Sequence, residues 1–369
     1  MRILEGVLIA LAAVMAALTI AYQVGATASM AVAIVTSLVT LGYLAAVLIV
    51  LAVFRRALPP FLVGLLALAG GVLLMVLLGQ VQSVGPGYWC LLATVWLLAW
   101  LFAERLANHQ TQGRTMLANI LIPAMFGAAI LVAWEAITRG AHVPQVLLPP
   151  PSGIWGVLVT SVPTLAVDFV QTFKAVLIGY VLGNGIAFAV AIAIDRSPFL
   201  KRGLLPLGNF VSALPLIGVA PIMVMWFGFD WPSKAAVVVI MTFFPMLVNT
   251  VAGLNASSSI ERDMMRTYAS SYWQTLFKLR LPAAGPFIFN ALKINSTLAL
   301  IGAIVAEFFG TPIVGMGFRI SSEIGKLNVQ MVWAEIAVAA LAGSVFYWVV
   351  ALVERAVTFW HPSVRGGRT

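Results

Sequence analysis

The sequence predicts an all-α membrane protein, and three observations lead to that fold class. Of its 369 residues, 62% are hydrophobic and only 9% are charged, with a mean hydropathy of +1.04. A soluble domain carries about 25% charged residues, so this chain cannot cover a water-facing surface. The apolar runs are about 20 residues long, the length of a membrane-spanning helix, and they lack the strict alternation of barrel strands.

About ten transmembrane helices are predicted along the chain. Their approximate limits are 4–23, 30–54, 60–80, 88–103, 117–138, 166–194, 204–227, 235–254, 284–308 and 331–352. With the N-terminus in the cytoplasm, 15 of the 21 Lys and Arg residues fall on cytoplasmic segments, as the positive-inside rule requires. Both termini and residues 255–282 are therefore expected on the cytoplasmic side. The net charge of +9 reflects this topology and not a nucleic-acid partner.

A polar linker at residues 104–116 divides the chain into two blocks. Residues 1–110 form a four-helix N-terminal membrane extension, rich in Leu, Ala and Val, whose role stays open. Residues 115–360 hold the other six spans. The first span could alternatively be a signal peptide, because Ala26-Thr27-Ala28 resembles a cleavage site. Its apolar run is long for that purpose, so we expect it to be retained.

No pattern in the sequence predicts a metal site, a disulfide or a nucleotide-binding loop. Cys90 is the only cysteine, and the three histidines lie far apart without ligand spacing, so no metal site is expected. The chain also lacks the G-x-x-x-x-G-K-[ST] loop that cradles nucleotide phosphates. We therefore expect neither a cofactor nor an enzymatic activity in this chain itself.

One polar insertion stands between spans eight and nine. Ser258-Ser259-Ile260-Glu261 has the capping-box pattern Ser-x-x-Glu, which predicts a helix start. Apolar residues recur every four positions and predict one continuous helical stripe, formed by Ile260, Met264, Tyr268, Tyr272 and Leu276. Ala269-Ser270-Ser271 is a small-residue patch, which permits either a close backbone approach or a bend. An amphipathic helix resting on the membrane surface is the alternative interpretation.

This insertion resembles the cytoplasmic loop signature of permease subunits of binding-protein-dependent ABC importers. The family pattern is Glu-Ala-Ala, three residues, Gly, nine residues, then Ile-x-Leu-Pro. Asp263-Met264-Met265 takes the Glu-Ala-Ala place, Ala269 takes the glycine place, and Leu279-Arg280-Leu281-Pro282 closes the signature. Arg266 and Ser270, in the stretches between these places, are counted with the coupling loop. The resemblance implies a coupling helix that docks on an ATPase subunit. Because Ala adopts the left-handed conformation less freely than Gly, a shallower bend is expected at Ala269.

The resemblance extends over residues 117–360 and is strongest to the nitrate, sulfonate and taurine type. Segments in family order include LLPPPSGIW (147–155), PIMVMWFGFDWPSKA (221–235) and IVAEFFG (304–310). It implies a six-helix type I importer core working by ATP-driven alternating access in the bacterial inner membrane. The implied partners are a second permease subunit, identical or sibling, two cytoplasmic ATPases that bind the ATP, and a periplasmic binding protein. The implied cargo is a small polar solute, which the sequence does not identify.

Polar residues on span nine predict a functional face within the bilayer. Four of them fall within roughly 100° of one another around the helix axis, namely Asn290, Lys293, Thr297 and Glu307. Charge at membrane depth requires a partner or water, so this face is expected to line a translocation cavity or a subunit interface. For Glu307, substrate contact and a structural hydrogen bond to a neighbouring helix stay equally open.

Other segments carry more modest predictions. Gly179 and Gly183 form a small-xxx-small pair that favours close helix packing. Pro149-Pro150-Pro151 is rigid, and Ser152 is predicted to cap a short interfacial helix. A docking surface for a binding protein is expected there and around residues 315–317, with a loop braced on the membrane surface as the alternative.

Two other function classes compete with the importer interpretation. An ion-coupled secondary carrier requires an acidic relay deep within several spans, whereas most Asp and Glu residues here lie in loops or near span ends. A membrane-embedded enzyme requires clustered His, Asp or Glu at one membrane face, and the sequence shows no such cluster.

Overall fold

The computed structural model describes residues 40–49, 60–80, 86–109, 116–204, 216–310 and 314–360. All regular elements in these ranges are helices, and seven of them are long and apolar enough to cross a membrane. The predicted span 4–23 lies outside the described residues, as do parts of the predicted spans 30–54 and 204–227. The count of ten spans therefore stays a prediction, whereas the all-helical membrane class is confirmed.

The chain divides into two units, Met1–Trp155 and Gly156–Thr369. The described helices of the first unit are α1 (Thr40–Ile49), α2 (Pro60–Gln80), α3 (Pro86–His109) and α4 (Met116–Gly140). The short α5 (Pro151–Thr160) begins in this unit. Helix α3 packs against both α2 and α4, and the hydroxyl of Tyr88 donates to the carbonyl of Ala136 at 3.2 Å.

The second unit begins with α6 (Val162–Arg196) and a short helical segment, α7, at 198–204. The helices that follow are α8 (Leu216–Phe227), α9 (Trp231–Leu254), α10 (Ser259–Thr267), α11 (Tyr272–Thr275), α12 (Leu281–Glu307), α13 (Met316–Gly325) and α14 (Val329–Val357). The long helix α9 packs between α6 and α12, and α14 packs on α12. A core of buried Ala, Val, Ile and Leu residues runs along these contacts.

The predicted close packing at Gly179 and Gly183 is confirmed. A Cβ on Gly179 would lie 2.7 Å from the carbonyl oxygen of Ala235, and one on Gly183 would lie 3.0 Å from the backbone of Val239. Only glycine lets α6 approach α9 this closely, since the opposing atoms belong to backbone that cannot give way.

The start of α5 differs from the prediction in its cap. The helix forms at Pro151–Thr160, as expected, but Ser152 lies inside its first turn. Glu135 supplies the cap instead, because its carboxylate accepts from the Ser152 amide at 2.9 Å and from the Ser152 hydroxyl at 2.6 Å. A carboxylate is the favoured group at a helix N-terminus, where unpaired amides and the helix dipole attract negative charge.

Candidate functional site

The insertion between α9 and α12 begins as the sequence predicts. Ser258 caps α10, with its hydroxyl accepting from the Glu261 amide at 3.2 Å and its own amide donating to the Glu261 carboxylate at 2.9 Å. Both halves of the capping box are therefore present. None of the α10 side chains is buried within the chain, and Asp263 and Arg266 form an exposed ion pair at 3.1 Å.

The predicted continuous stripe is wrong, because the chain bends sharply at Ala269. This residue has φ +54, so the expectation of a shallow bend is also wrong. The Ser270 amide donates to the Met265 carbonyl at 3.0 Å, and the Ala269 amide donates to the Arg266 carbonyl at 2.9 Å. This pair of bonds is the Schellman motif, which ends α10 with Ala269 in the place that glycine usually occupies.

The bend separates the predicted apolar stripe into two parts with different surroundings. Ile260 and Tyr268 are 80% and 77% exposed, and Met264 is exposed beside them. Beyond the bend, Ser271 caps α11 by a second capping box, Tyr272 is half-buried and Leu276 is fully buried. The first part is an unpartnered apolar face at the end of the helix bundle, whereas the second part anchors the insertion.

A partly buried ion pair holds that anchor against the rest of the bundle. Arg280 makes two hydrogen bonds of 2.7 Å to the two carboxylate oxygens of Asp195, at the end of α6. Its Nε also donates to the carbonyl of Leu254, the last residue of α9, at 2.9 Å. The Tyr272 hydroxyl donates to Asp195 at 2.9 Å, and the Arg196 guanidinium lies over the Tyr272 ring. One arginine thus ties the insertion to two long helices.

Pro282 explains the irregular turn that comes just before it in the chain. A proline has no amide hydrogen, so the carbonyl four residues earlier cannot receive its usual helical bond. Residues Leu276–Arg280 form a π-turn in which the Leu281 amide donates to the Leu276 carbonyl. The chain then runs without a break into α12, so the insertion is mechanically continuous with a membrane-spanning helix. The closing residues Leu279, Leu281 and Pro282 are half-buried at this junction.

The four predicted cavity residues of α12 lie in different surroundings. Asn290 and Thr297 are exposed on one side of the helix. Lys293 pairs with Glu354 of α14, with 2.8 Å between its Nζ and a carboxylate oxygen. Glu307 is buried at the far end of α12. The assignment of this face to a translocation cavity stays a prediction.

Glu307 organises the connection that follows α12. Its carboxylate accepts from the Thr172 hydroxyl at 2.9 Å and from the Gly317 amide at 2.7 Å. The same hydroxyl accepts from the Met316 amide at 2.9 Å, and Asp168 accepts from the Gly315 amide at 2.8 Å. These contacts seat the first turn of α13 on α6, so Glu307 makes the structural hydrogen bonds that the sequence left as one of two alternatives.

An ion pair completes this second cluster. The Arg319 Nε donates to the second oxygen of Asp168 at 2.8 Å. The hydrogen bond and the negative charge of Asp168 raise the pKa of Arg319 above its ordinary value, so the guanidinium stays charged. Asp168, Thr172, Glu307 and Gly315 form a buried polar cluster at the end of the bundle opposite to the insertion along α12.

Sequence reasoning did not find Asp195, Thr172 or Asp168 as organising residues. Asp195 and Arg280 are 85 residues apart, and Thr172 and Glu307 are 135 residues apart. No periodicity connects residues at such separations. The signal that was available is a charged or hydroxyl residue at each end of an otherwise apolar span, which marks a place where a partner is required.

Comparison with known proteins decides the family. Residues 175–359 match the family described as binding-protein-dependent transport system inner membrane component. This chain belongs to that family. The matched residues include the whole insertion at Ser258–Pro282, the α6 anchor Asp195 and the cluster residue Glu307. The protein is therefore a multi-pass ABC transporter permease of the class that imports solutes.

Named relatives extend the match beyond these residues. The formylaminopyrimidine transport permease protein of Halalkalibacterium halodurans is 27% identical over 65% of this chain and 96% of its own length. The riboflavin transport system permease protein of Chloroflexus aurantiacus is 29% identical over 63% of this chain and 88% of its own. The taurine transport system permease protein of Escherichia coli is 24% identical over 64% and 89%. These relatives are transport permeases and not enzymes.

Proposed function

We propose that this permease moves a small polar solute inward by ATP-driven alternating access, with α10 as its coupling helix. The observation that carries the proposal is the exposed apolar face of Ile260, Met264 and Tyr268 on a short helix. The chain that follows this helix is anchored by Arg280. An exposed apolar group of this kind at the water-facing end of a bundle indicates a protein partner. In an ABC importer permease that partner is an ATPase subunit.

The anchor connects this docking surface to the membrane-spanning helices. Movement of α10 is transferred through Arg280 to Asp195 on α6 and to Leu254 on α9. The unbroken chain from Leu276 through Leu281 transfers it to α12. The same displacement therefore reaches the three helices that pack together in the second unit. In this proposal, closure of the ATPases reorients these helices and changes which side of the membrane the pathway faces.

The proposed assembly contains two permease subunits, identical or sibling, two cytoplasmic ATPases and a periplasmic binding protein, in the bacterial inner membrane. ATP is bound by the ATPase subunits, and both termini of the permease are cytoplasmic. Asn290 and Thr297 lie on an exposed face of α12, which suits a cavity shared with the second permease subunit. The named relatives include transporters of taurine and riboflavin, so their names alone fix the cargo only as a small solute.

Purification of the full chain from its native membrane tests the proposal. We expect an ATP-binding subunit to copurify with it, and ATP hydrolysis to be present only in fractions that contain that subunit. Robust hydrolysis by the isolated, uncontaminated chain would contradict the proposal. Solute uptake driven by an ion gradient without any ATPase subunit would favour the secondary-carrier alternative.

A further inference from the structure

An apolar groove runs along the membrane-spanning part of the first unit, between α2, α3 and α4. It has a volume of about 440 Å³ and is lined almost entirely by aliphatic and aromatic side chains. Its lining includes small residues, among them Gly71, Ala128 and Ala129, together with the larger Met75 and Val132. A groove of this size accepts an elongated apolar group.

A second cleft of about 430 Å³, with both polar and apolar residues in its lining, lies at one end of the same two helices, α2 and α4. Its lining includes Leu78, Thr138, Arg139 and His142. The Arg139 side chain is 41% exposed, and its Nη1 lies 3.3 Å from a Glu135 oxygen. That contact is longer than the two bonds that Glu135 accepts from Ser152, so it uses only a small part of the hydrogen-bonding capacity of the guanidinium.

The groove and the cleft are lined by residues on the same face of each of the two helices. On α4, Ala128, Val132 and Arg139 are spaced by four and seven residues, which places all three on one helical face. On α2, Gly71, Met75 and Leu78 share a face for the same reason. Val132 and Arg139 are separated by about 10 Å along the helix axis. The two sites therefore follow one another along the same helix faces, the apolar groove first and then a cleft that contains Arg139.

Backbone hydrogen bonds at the end of α4 position Arg139 and His142, which both line the cleft. The Val143 amide donates to the Thr138 carbonyl at 2.9 Å, and the His142 amide donates to the Arg139 carbonyl at 3.3 Å. His142 takes φ +51, the left-handed conformation that glycine adopts without strain. The Schellman turn thus places His142, which lines the same cleft as Arg139, at a position where glycine would suit the backbone better.

We propose that this is a binding site for one phospholipid, with an acyl chain in the groove and the phosphate at Arg139 and His142. An acyl chain gains little by leaving other lipid tails, so the selectivity must come from the headgroup. Arginine presents a planar fork of donors that matches phosphate oxygens. The adjoining groove favours a phospholipid over a free anion, which has no apolar part to fill it.

Native mass spectrometry of the delipidated full chain, titrated with phosphatidylglycerol in detergent, tests this site. We expect one tightly bound lipid, and about tenfold or greater weakening in Arg139→Gln, because a charged hydrogen bond is lost. Arg202→Gln, at an exposed arginine outside the cleft, is the matched control and should bind as the unaltered chain does. Ala128→Phe should weaken binding by filling the groove, with its thermal unfolding recorded to establish that it folds.

Two further measurements separate headgroup binding from its alternatives. Glu135→Gln removes the same ion pair but keeps Arg139, so tight binding should persist. Equal losses in Glu135→Gln and Arg139→Gln would mean that the shape of the cleft matters and not the phosphate contact, which would overturn the proposal. Displacement of the lipid by inorganic phosphate at equal concentration would overturn it too, as would the absence of retained lipid or equal binding by Arg139→Gln and Arg202→Gln.

Discussion

Ala269, His142 and Leu327 each follow the end of a helix with a positive φ, between 51° and 58°. All three make the paired backbone bonds of the Schellman motif, for Leu327 through the Asn328 and Leu327 amides to the Glu323 and Ile324 carbonyls. A side chain in this conformation costs about 1–2 kcal/mol relative to glycine. Among the described residues the chain tolerates that strain at these three turns, and two of them, Ala269 and His142, belong to the sites proposed above.

Ala269→Gly should therefore stabilise the bend of the coupling insertion by about 1 kcal/mol. The substitution relieves left-handed strain without removing a contact, and this gain exceeds the added entropy of glycine in the unfolded chain. Hydrogen exchange at the Ser270 amide should slow by about fivefold, the factor that corresponds to this energy. Ala337→Gly, at an exposed interior position of α14, is the control and should destabilise its helix. Faster exchange in Ala269→Gly would show that the left-handed conformation is not strained.

At the scale of elements, the Asp195–Arg280 pair decides whether the insertion moves with the membrane helices. Asp195→Ala leaves the partly buried Arg280 charge without its partner, and the cost should approach that of a fully buried pair, about 3–5 kcal/mol. Arg280→Lys keeps a charge beside Asp195 but loses the planar fork that also reaches Leu254, so it should be affected less. Thermal unfolding of the two variants in detergent measures the order. Equal stability of Asp195→Ala and the unaltered chain would mean that the pair does not anchor the insertion.

The polar cluster around Glu307 makes a second prediction for an element, the start of α13. Thr172→Val keeps the shape of the side chain but removes the hydroxyl that accepts from the Met316 amide. An unsatisfied buried donor costs about 1–3 kcal/mol, so hydrogen exchange at residues 315–317 should accelerate. Thr160→Val, which removes an exposed hydroxyl bonded within its own helix, should change stability by less than about 0.5 kcal/mol. Unchanged exchange in Thr172→Val would exclude a structural role for that hydroxyl.

The sequence could predict the helices, because each long apolar run has only one way to satisfy its backbone within a bilayer. It could also predict the Ser258 cap and the Gly183 contact, since both depend on local chemistry at fixed spacing. A bend at Ala269 was expected, but its sharpness was not, because alanine carries no preference for a left-handed turn. The partners of Asp195 and Glu307 could not be predicted from the sequence, because these contacts join distant segments through tertiary packing alone.

At the scale of the whole molecule, the four N-terminal spans are predicted to be an accessory unit. The family match begins at residue 175, and the relatives cover about two-thirds of this chain. Deletion of residues 1–110, with a new start before α4, should preserve copurification of the ATPase subunit. Membrane abundance of the truncated chain is the control for insertion. A truncated chain that inserts normally but no longer binds the ATPase would place these spans within the core.

The central claim is that the exposed face of α10 docks an ATPase, and Tyr268→Glu tests it most directly. A charge buried without a partner at a protein contact costs several kcal/mol, and each 1.4 kcal/mol is about tenfold in affinity. Leu147 is 73% exposed, close to the 77% of Tyr268, so Leu147→Glu is a matched control outside the insertion. The measurement is pull-down of the ATPase subunit from membranes that contain equal amounts of each permease variant. The account predicts that Tyr268→Glu loses the ATPase while Leu147→Glu retains it, and normal pull-down by Tyr268→Glu would contradict it.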